Sequence, residues 1–433
     1  MATSIALVIS LGGIRASAAD RVPAVVVPGV TGTQLRDPAS GGLVWGTTAH
    51  MMRPRDLGYS IALPLAPPSD DPSKVHPQAR YEPVEPLWVL RLLGFRKEIY
   101  RPLAEEFQAR GFKRGDLGSV EPEGEFFFFA YDWRRSNEDT VVRLSEQLHR
   151  MATFRGEGVQ EVDLLCQSNA ARICRWAAKY GALPLADAEA GAAPEPTRFR
   201  IRKLLLVSAS NSGSLRILEQ LHRGRRYLPG VGRKLSQETL FTIRPLFDDL
   251  PLGRSDAFFG TDGRSLDVDL GDAAEWVRNG WSVFGADVRA RIDKRGRTDL
   301  FATHAQRLSY LEERLDVARR AARLLAADSP HFSAVGYYLL ENRSQRTIDR
   351  ALLIRDGKGR GTYFTGDDRI KSVAALDRLA TSGGDGHAPL ASQQDLSPQE
   401  KAATVRRETV VGGHFEMLIG ARALELLFSF LAD

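Results

Sequence analysis

The chain has 433 residues, 43% hydrophobic and 26% charged, the proportions of an ordinary globular protein long enough to bury a large core. Its formal charge is +5 with a pI near 9.2. The arginines are spread along the chain rather than gathered into runs, which argues against nucleic-acid binding and leaves a diffuse attraction to anionic surfaces such as lipid headgroups.

Residues 1–19 admit two readings. "SIALVISLGG" followed by Ala16-Ser17-Ala18 has the apolar run and small-residue cleavage pattern of a signal peptide. No basic residue precedes the run and Arg15 sits beside the cleavage pattern, so an N-terminal extension stands equally, and cytoplasmic and secreted locations both stay open. No other stretch is long and apolar enough to span a bilayer.

The run "AVVVPG" from Ala24 reads as a buried parallel strand, and residues 36–95 as a small lid-like insertion. A helical pattern follows from Tyr100 ("YRPLAEEFQARGF"), then a strand from Phe126 ("FFFFAYDW") and a helix from Thr140 ("TVVRLSEQLHRMATF"). The strand "EVDLLC" from Glu161 leads directly into a helix-like pattern, a surface loop spans residues 186–198, and "RKLLLVSAS" from Arg202 is the next strand. Residues 224–330 turn irregular and then helical, ending in the amphipathic "AQRLSYLEERLDVARRAARLLA", and read as a helical cap. Strands return at Phe332 ("FSAVGYYLL"), Thr362 ("TYFTGDD") and Thr404 ("TVRRETVVGGH"), and "FEMLIGARALELLFSFLA" is a closing helix. The loop "SGGDGHAPLASQQDLSPQE" before the last strand is polar and expected to be mobile. Alternating strands and helices predict a mostly parallel doubly wound sheet, with residues 20–223 and 331–433 as the two parts of the core; the layout around Ser168 makes the expected fold an α/β-hydrolase. Cys166 and Cys174, eight residues apart on one strand–helix unit and without metal-ligand spacing, read as buried thiols.

The strand–serine–helix layout around Ser168 is that of a nucleophile elbow, and the remaining catalytic groups of such a sheet follow in the order acid, then histidine. Asp367 follows the strand "TYF", and His414 follows "ETVV". A serine hydroxyl needs an imidazole to take its proton, and the imidazole needs a carboxylate to hold its tautomer. Asp368 is the neighbouring candidate for the acid. An oxyanion hole is expected from the backbone N–H groups of Asn169, after the nucleophile, and Val30, in the loop "VPGVTGTQL". No metal motif, phosphate loop or dinucleotide fingerprint is present, so no cofactor is expected.

Together these segments resemble the lecithin:cholesterol acyltransferase family, which includes lysosomal phospholipase A2 and bacterial relatives. "VVVPGVTGTQLRD" is similar to its opening strand and oxyanion loop, Tyr131 to Arg134 to its Tyr-Asp-Trp-Arg signature, and "GDDRIKSVAA" and "GGHFEML" to its acid and histidine blocks. The glycine-then-aspartate spacing of that block favours Asp367 over Asp368. The chain departs from the family at the nucleophile, where Gly-His-Ser-x-Gly is replaced by Cys166-Gln167-Ser168-Asn169-Ala170. Asp132 and Arg134 read as a structural ion pair. The resemblance implies a lipid acyl donor, peripheral contact with lipid surfaces, and an acyl-serine intermediate released to water or an alcohol. The cap aromatics Trp276, Trp281 and Phe284 read either as an acyl pocket or as cap core. A non-catalytic lipid- or protein-binding protein and a peptidase on the same fold are the competing readings.

Overall fold

The computed structural model describes residues 21–66, 74–92, 95–227, 232–332, 334–355 and 359–433; the reading of residues 1–19 lies outside them. Its centre is a six-stranded sheet built from β1 (Ala24–Val27), β2 (Phe126–Phe128), β3 (Gln160–Gln167), β4 (Phe199–Val207), β5 (Gly336–Glu341) and β6 (Thr404–Thr409). Their order across the sheet is β6-β5-β4-β3-β1-β2, and every pairing is parallel. In β1 and along most of β3, consecutive residues are buried, so both faces of the sheet are covered. That is why these strands read as apolar runs rather than as alternation.

Helices α1 (Arg101–Ala109), α2 (Asn137–Arg155), α3 (Ala170–Tyr180) and α6 (Ala421–Ala432) pack on the sheet, while α4 (Leu215–Arg223) and α5 (His304–Ala326) pack mainly on other helices. Ser136, Ser214 and Thr303 cap α2, α4 and α5 by accepting from backbone N–H groups of the first turn, and Gln306 completes a capping box on α5. The ring of Phe107 on α1 stacks on Phe126 of β2 at 4.7 Å and meets Phe428 of α6 edge-on at the same distance, joining the first strands to the last helix.

Two expectations change. The strand at Gly361–Tyr363 does not join the central sheet; it pairs antiparallel with Ala351–Ile354, which pairs parallel with Phe258–Phe259 of the cap. Residues after 330 therefore build part of the cap region as well as the core. The polar loop before β6, expected to be mobile, is folded inward: Asp385, Ser392, Gln393, Ser397 and Glu400 are all buried. Their polarity is satisfied by mutual and backbone hydrogen bonds, which composition alone does not disclose.

Candidate active site

The elbow forms where β3 ends and α3 begins. Ser168 has φ of +59°, in the left-handed region that non-glycine residues rarely enter. It is held there by its own N–H donating to the Val207 carbonyl and by its carbonyl accepting from Ala171 N–H. Ala170 is fully buried in the first turn of α3, so its methyl is accommodated where the family has glycine. Cys166 and Cys174 are not free thiols but a disulfide with Cα atoms 6.5 Å apart. The reversal at Ser168 lays α3 back against the end of β3, so residues eight apart in sequence meet across the turn, and the bridge encloses the serine.

The loop after β1 packs directly under the serine. A Cβ on Gly29 would sit 3.0 Å from Ser168 Cβ and 3.3 Å from the Gln167 carbonyl oxygen, so any larger residue would press on the serine and its strand. Tyr100 Oη donates to Gln167 Oε1 at 2.5 Å and accepts from Gly29 N–H, and Tyr131 Oη donates to the Pro28 carbonyl at 2.7 Å. Trp133 fixes the far side of the loop by donating to the Thr33 carbonyl. Arg134 is fully buried in a bidentate pair with Asp132 (2.8 and 2.7 Å) and also donates to the Ile61 and Gln78 carbonyls. The Tyr-Asp-Trp-Arg segment is thus a brace behind the site. Among the described residues, the N–H groups of Val30 and Asn169 donate no hydrogen bond within the protein. Asn169 stands at the N-terminus of α3, and its side-chain amide pairs reciprocally with that of Asn137.

His414 lies in the loop after β6, and its Nδ1 is 2.8 Å from Oδ2 of Asp385. Asp385 is almost fully buried, and its Oδ1 accepts from the N–H groups of His387 and Ala388. Burial pushes this carboxyl up, but the charge and hydrogen bond of His414, His387 and the backbone donors outweigh it and leave Asp385 below the ordinary carboxylate range. An ionised carboxylate can only accept, so Nδ1 carries a hydrogen, and in the neutral ring Nε2 keeps its lone pair. The ring of His387 packs 4.7 Å from that of His414, and burial, followed by the charge of His414, holds His387 well below the usual histidine range.

Asp367 is elsewhere. Both its oxygens are taken by Arg223 of α4 (2.9 and 2.5 Å), and Oδ2 also accepts from Phe364 N–H. Asp368 is exposed, 3.9 Å from Lys371. Neither meets His414 among the described contacts; the carboxylate that does is Asp385. The physical reason is the sheet pairing: Gly361–Tyr363 belongs to the cap-side sheet, so the turn after it does not open at the carboxyl ends of the central strands. Asp385 escaped the sequence reading because it lies in the polar loop; "GDGH", with an aspartate two residues before a histidine, was the available signal.

Ser168, His414, Asp385 and Val30 all line one open cavity of about 640 Å³, together with Gly29, Tyr100 and His387. Trp276, Trp281 and Phe284 do not line it; they are buried in the cap, where Trp281 stacks on Phe258 at 5.2 Å and meets Trp276 edge-on. Those aromatics are cap core.

No protein-family profile and no curated protein matches the chain. Among solved structures, Tle4 in its complex with Tli4 superposes with a TM-score of 0.54 at 13% identity, covering 95% of this chain and 98% of that one. The Bacillus licheniformis lipase BlEst2 in its mature form aligns over 95% of this chain and 92% of its own at 9% identity, with a TM-score of 0.32. The fold is that of an α/β-hydrolase. At these identities the likeness speaks for architecture, and function must be argued from the site.

Proposed function

We propose that the protein is a serine-dependent acyl-ester hydrolase or O-acyltransferase acting on lipid esters through an acyl-serine intermediate. The observation that carries this is one cavity holding both a serine on a left-handed strand–helix turn and a histidine whose Nδ1 is fixed by a buried carboxylate. His414 Nε2 would take the Ser168 proton as the hydroxyl attacks the ester carbonyl, and Asp385 would stabilise the imidazolium. The N–H groups of Val30 and Asn169, the second reinforced by the α3 dipole, would receive the oxyanion. His414 then protonates the leaving alcohol, and water or a second alcohol releases the acyl group by the reverse sequence. The lipid character of the acyl donor rests on the resemblance of the sequence to the lecithin:cholesterol acyltransferase family.

The test is hydrolysis of p-nitrophenyl esters of graded acyl length and labelling by a fluorophosphonate, for the native chain and for Ser168→Ala in parallel. Turnover should rise with acyl length and fall by about a million-fold in the variant, with labelling lost. Inertness of both proteins, or labelling that survives the substitution, would overturn the assignment. Inertness would favour a binding protein on this fold, and turnover of peptides alone would favour a peptidase.

A further inference from the structure

Five cationic side chains, Arg216, Arg223, Arg225, Arg226 and Lys234, line the cavity that holds Ser168 and His414. The carboxylates around them are already engaged. Glu219 pairs with Arg216 at 2.6 Å, Asp367 with Arg223, and Asp385 with His414. Asp249, which also lines the cavity, is pushed up to about 7 by burial. None of these ion pairs among the described residues involves Arg225 or Arg226. The Arg225 guanidinium lies 4.4 Å from the centre of the Tyr227 ring, a stacking that steadies the group and leaves its N–H edge available. The charges of Arg225 and Arg216 also reach His387, where, after burial and His414, they help keep the ring neutral.

A site of this kind favours one class of substrate. Uncompensated guanidinium groups lining one cavity repel, and an anion placed in it relieves that repulsion and forms charge-assisted hydrogen bonds. A cationic ammonium group in the same place would face those cations, and Asp249, the lining carboxylate outside the ion pairs given above, is almost fully buried. We propose that the cavity takes an acyl ester whose alcohol half carries a net negative charge, a phosphodiester without a compensating ammonium, anchored by Arg225 and Arg226. This rests on the acyl-ester reading above and adds the headgroup class to it.

The test uses the full chain carrying Ser168→Ala and two lipids with identical acyl chains, dihexanoyl-phosphatidylglycerol and dihexanoyl-phosphatidylcholine, kept below the concentration at which they aggregate, so that adsorption to a lipid surface plays no part. Titration calorimetry should show the glycerol lipid binding at least about tenfold more tightly, with the gap narrowing as salt is raised. The gap should collapse in Arg225→Gln/Arg226→Gln and persist in Arg225→Lys/Arg226→Lys, with thermal melting confirming that each variant folds. Equal binding of the two lipids, or a preference that survives the glutamine pair, overturns the inference. Inorganic phosphate is the control arm: binding equal to that of the glycerol lipid would make the wall a free-anion site and also overturn it. Because binding is read with the nucleophile removed, a headgroup preference without any ester turnover by the native chain would sink the catalytic reading alone. Turnover without a preference would sink only this one.

Discussion

Asp385 holds His414 through Oδ2 while its Oδ1 accepts two backbone N–H bonds, whereas Asp367 spends both oxygens on Arg223. Asp385→Asn should therefore lower kcat for ester hydrolysis by about ten-thousand-fold, because an amide at that place no longer favours the needed tautomer. Asp367→Asn should leave kcat within about fivefold; steady-state kinetics on one p-nitrophenyl ester reads both, and the reverse pattern would return the acid to the "GDD" block. Asp249 makes a second, pH-dependent case. Burial raises it to about 7, so the folded protein binds a proton there that the unfolded chain releases near 4. Its contribution to stability is complete below about pH 4 and is lost as pH rises toward 7, by at most about 4 kcal/mol. Urea midpoints measured between pH 4 and pH 8 should fall more steeply for the native chain than for Asp249→Asn, and parallel curves would refute the argument.

The strand–turn–helix unit departs from the usual glycine pattern, and the disulfide supplies the reason at one of the two positions. Cys166 occupies the place of the first glycine and reaches across to Cys174 on α3, tying the two arms of a turn that holds Ser168 at positive φ. A loop this short should contribute about 2–3 kcal/mol through the unfolded chain. The double substitution Cys166→Ala/Cys174→Ala should lose about that much in urea unfolding, and stability insensitive to the change would mean that the bridge does not form. The serine's location was legible from "VDLLCQS", an apolar strand run ending at a serine followed by helical periodicity. The bridge was not legible, because a spacing of eight fits two thiols on one unit as well as a bond across its turn.

Across the whole molecule, one buried ion pair ties the halves of the chain together. Arg175 of α3 makes bidentate bonds to Glu400 (2.8 and 2.6 Å) and donates to the Leu325 carbonyl at the end of α5 and to Asn211. Glu400 in turn accepts from Tyr337 of β5 and from Ser397 N–H. The knot joins the helix after Ser168, helix α5, the central sheet and the segment that follows Asp385. Arg175→Met, which leaves a buried carboxylate unpaired, should cost about 3–5 kcal/mol, and Arg175→Met/Glu400→Leu should recover much of it. Chemical denaturation of the two variants reads this directly, and a harmless single substitution would show that the pair carries no stability.

The local sequence determined the strands of the central sheet, their parallel character, and the placement of Ser168 and His414 after strand ends. Each of these depends on short-range pattern: a run of apolar residues buried on both faces, or a turn at a strand's carboxyl end. The Asp132–Arg134 pair was readable because its partners are neighbours in the chain, whereas the bonds of Tyr131 and Trp133 to the Pro28 and Thr33 carbonyls, about a hundred residues away, were not. What tertiary structure alone decided was which strand pairs with which. Gly361–Tyr363 has the composition of a core strand, yet it hydrogen-bonds to Ala351–Ile354 and so carries Asp367 to Arg223. The polar loop expected to be mobile is folded inward instead, and its carboxylate meets the imidazole from 29 residues away. Pairing and inward folding are settled by which partner buries more surface and satisfies more hydrogen bonds, and both are sums over contacts distant in sequence.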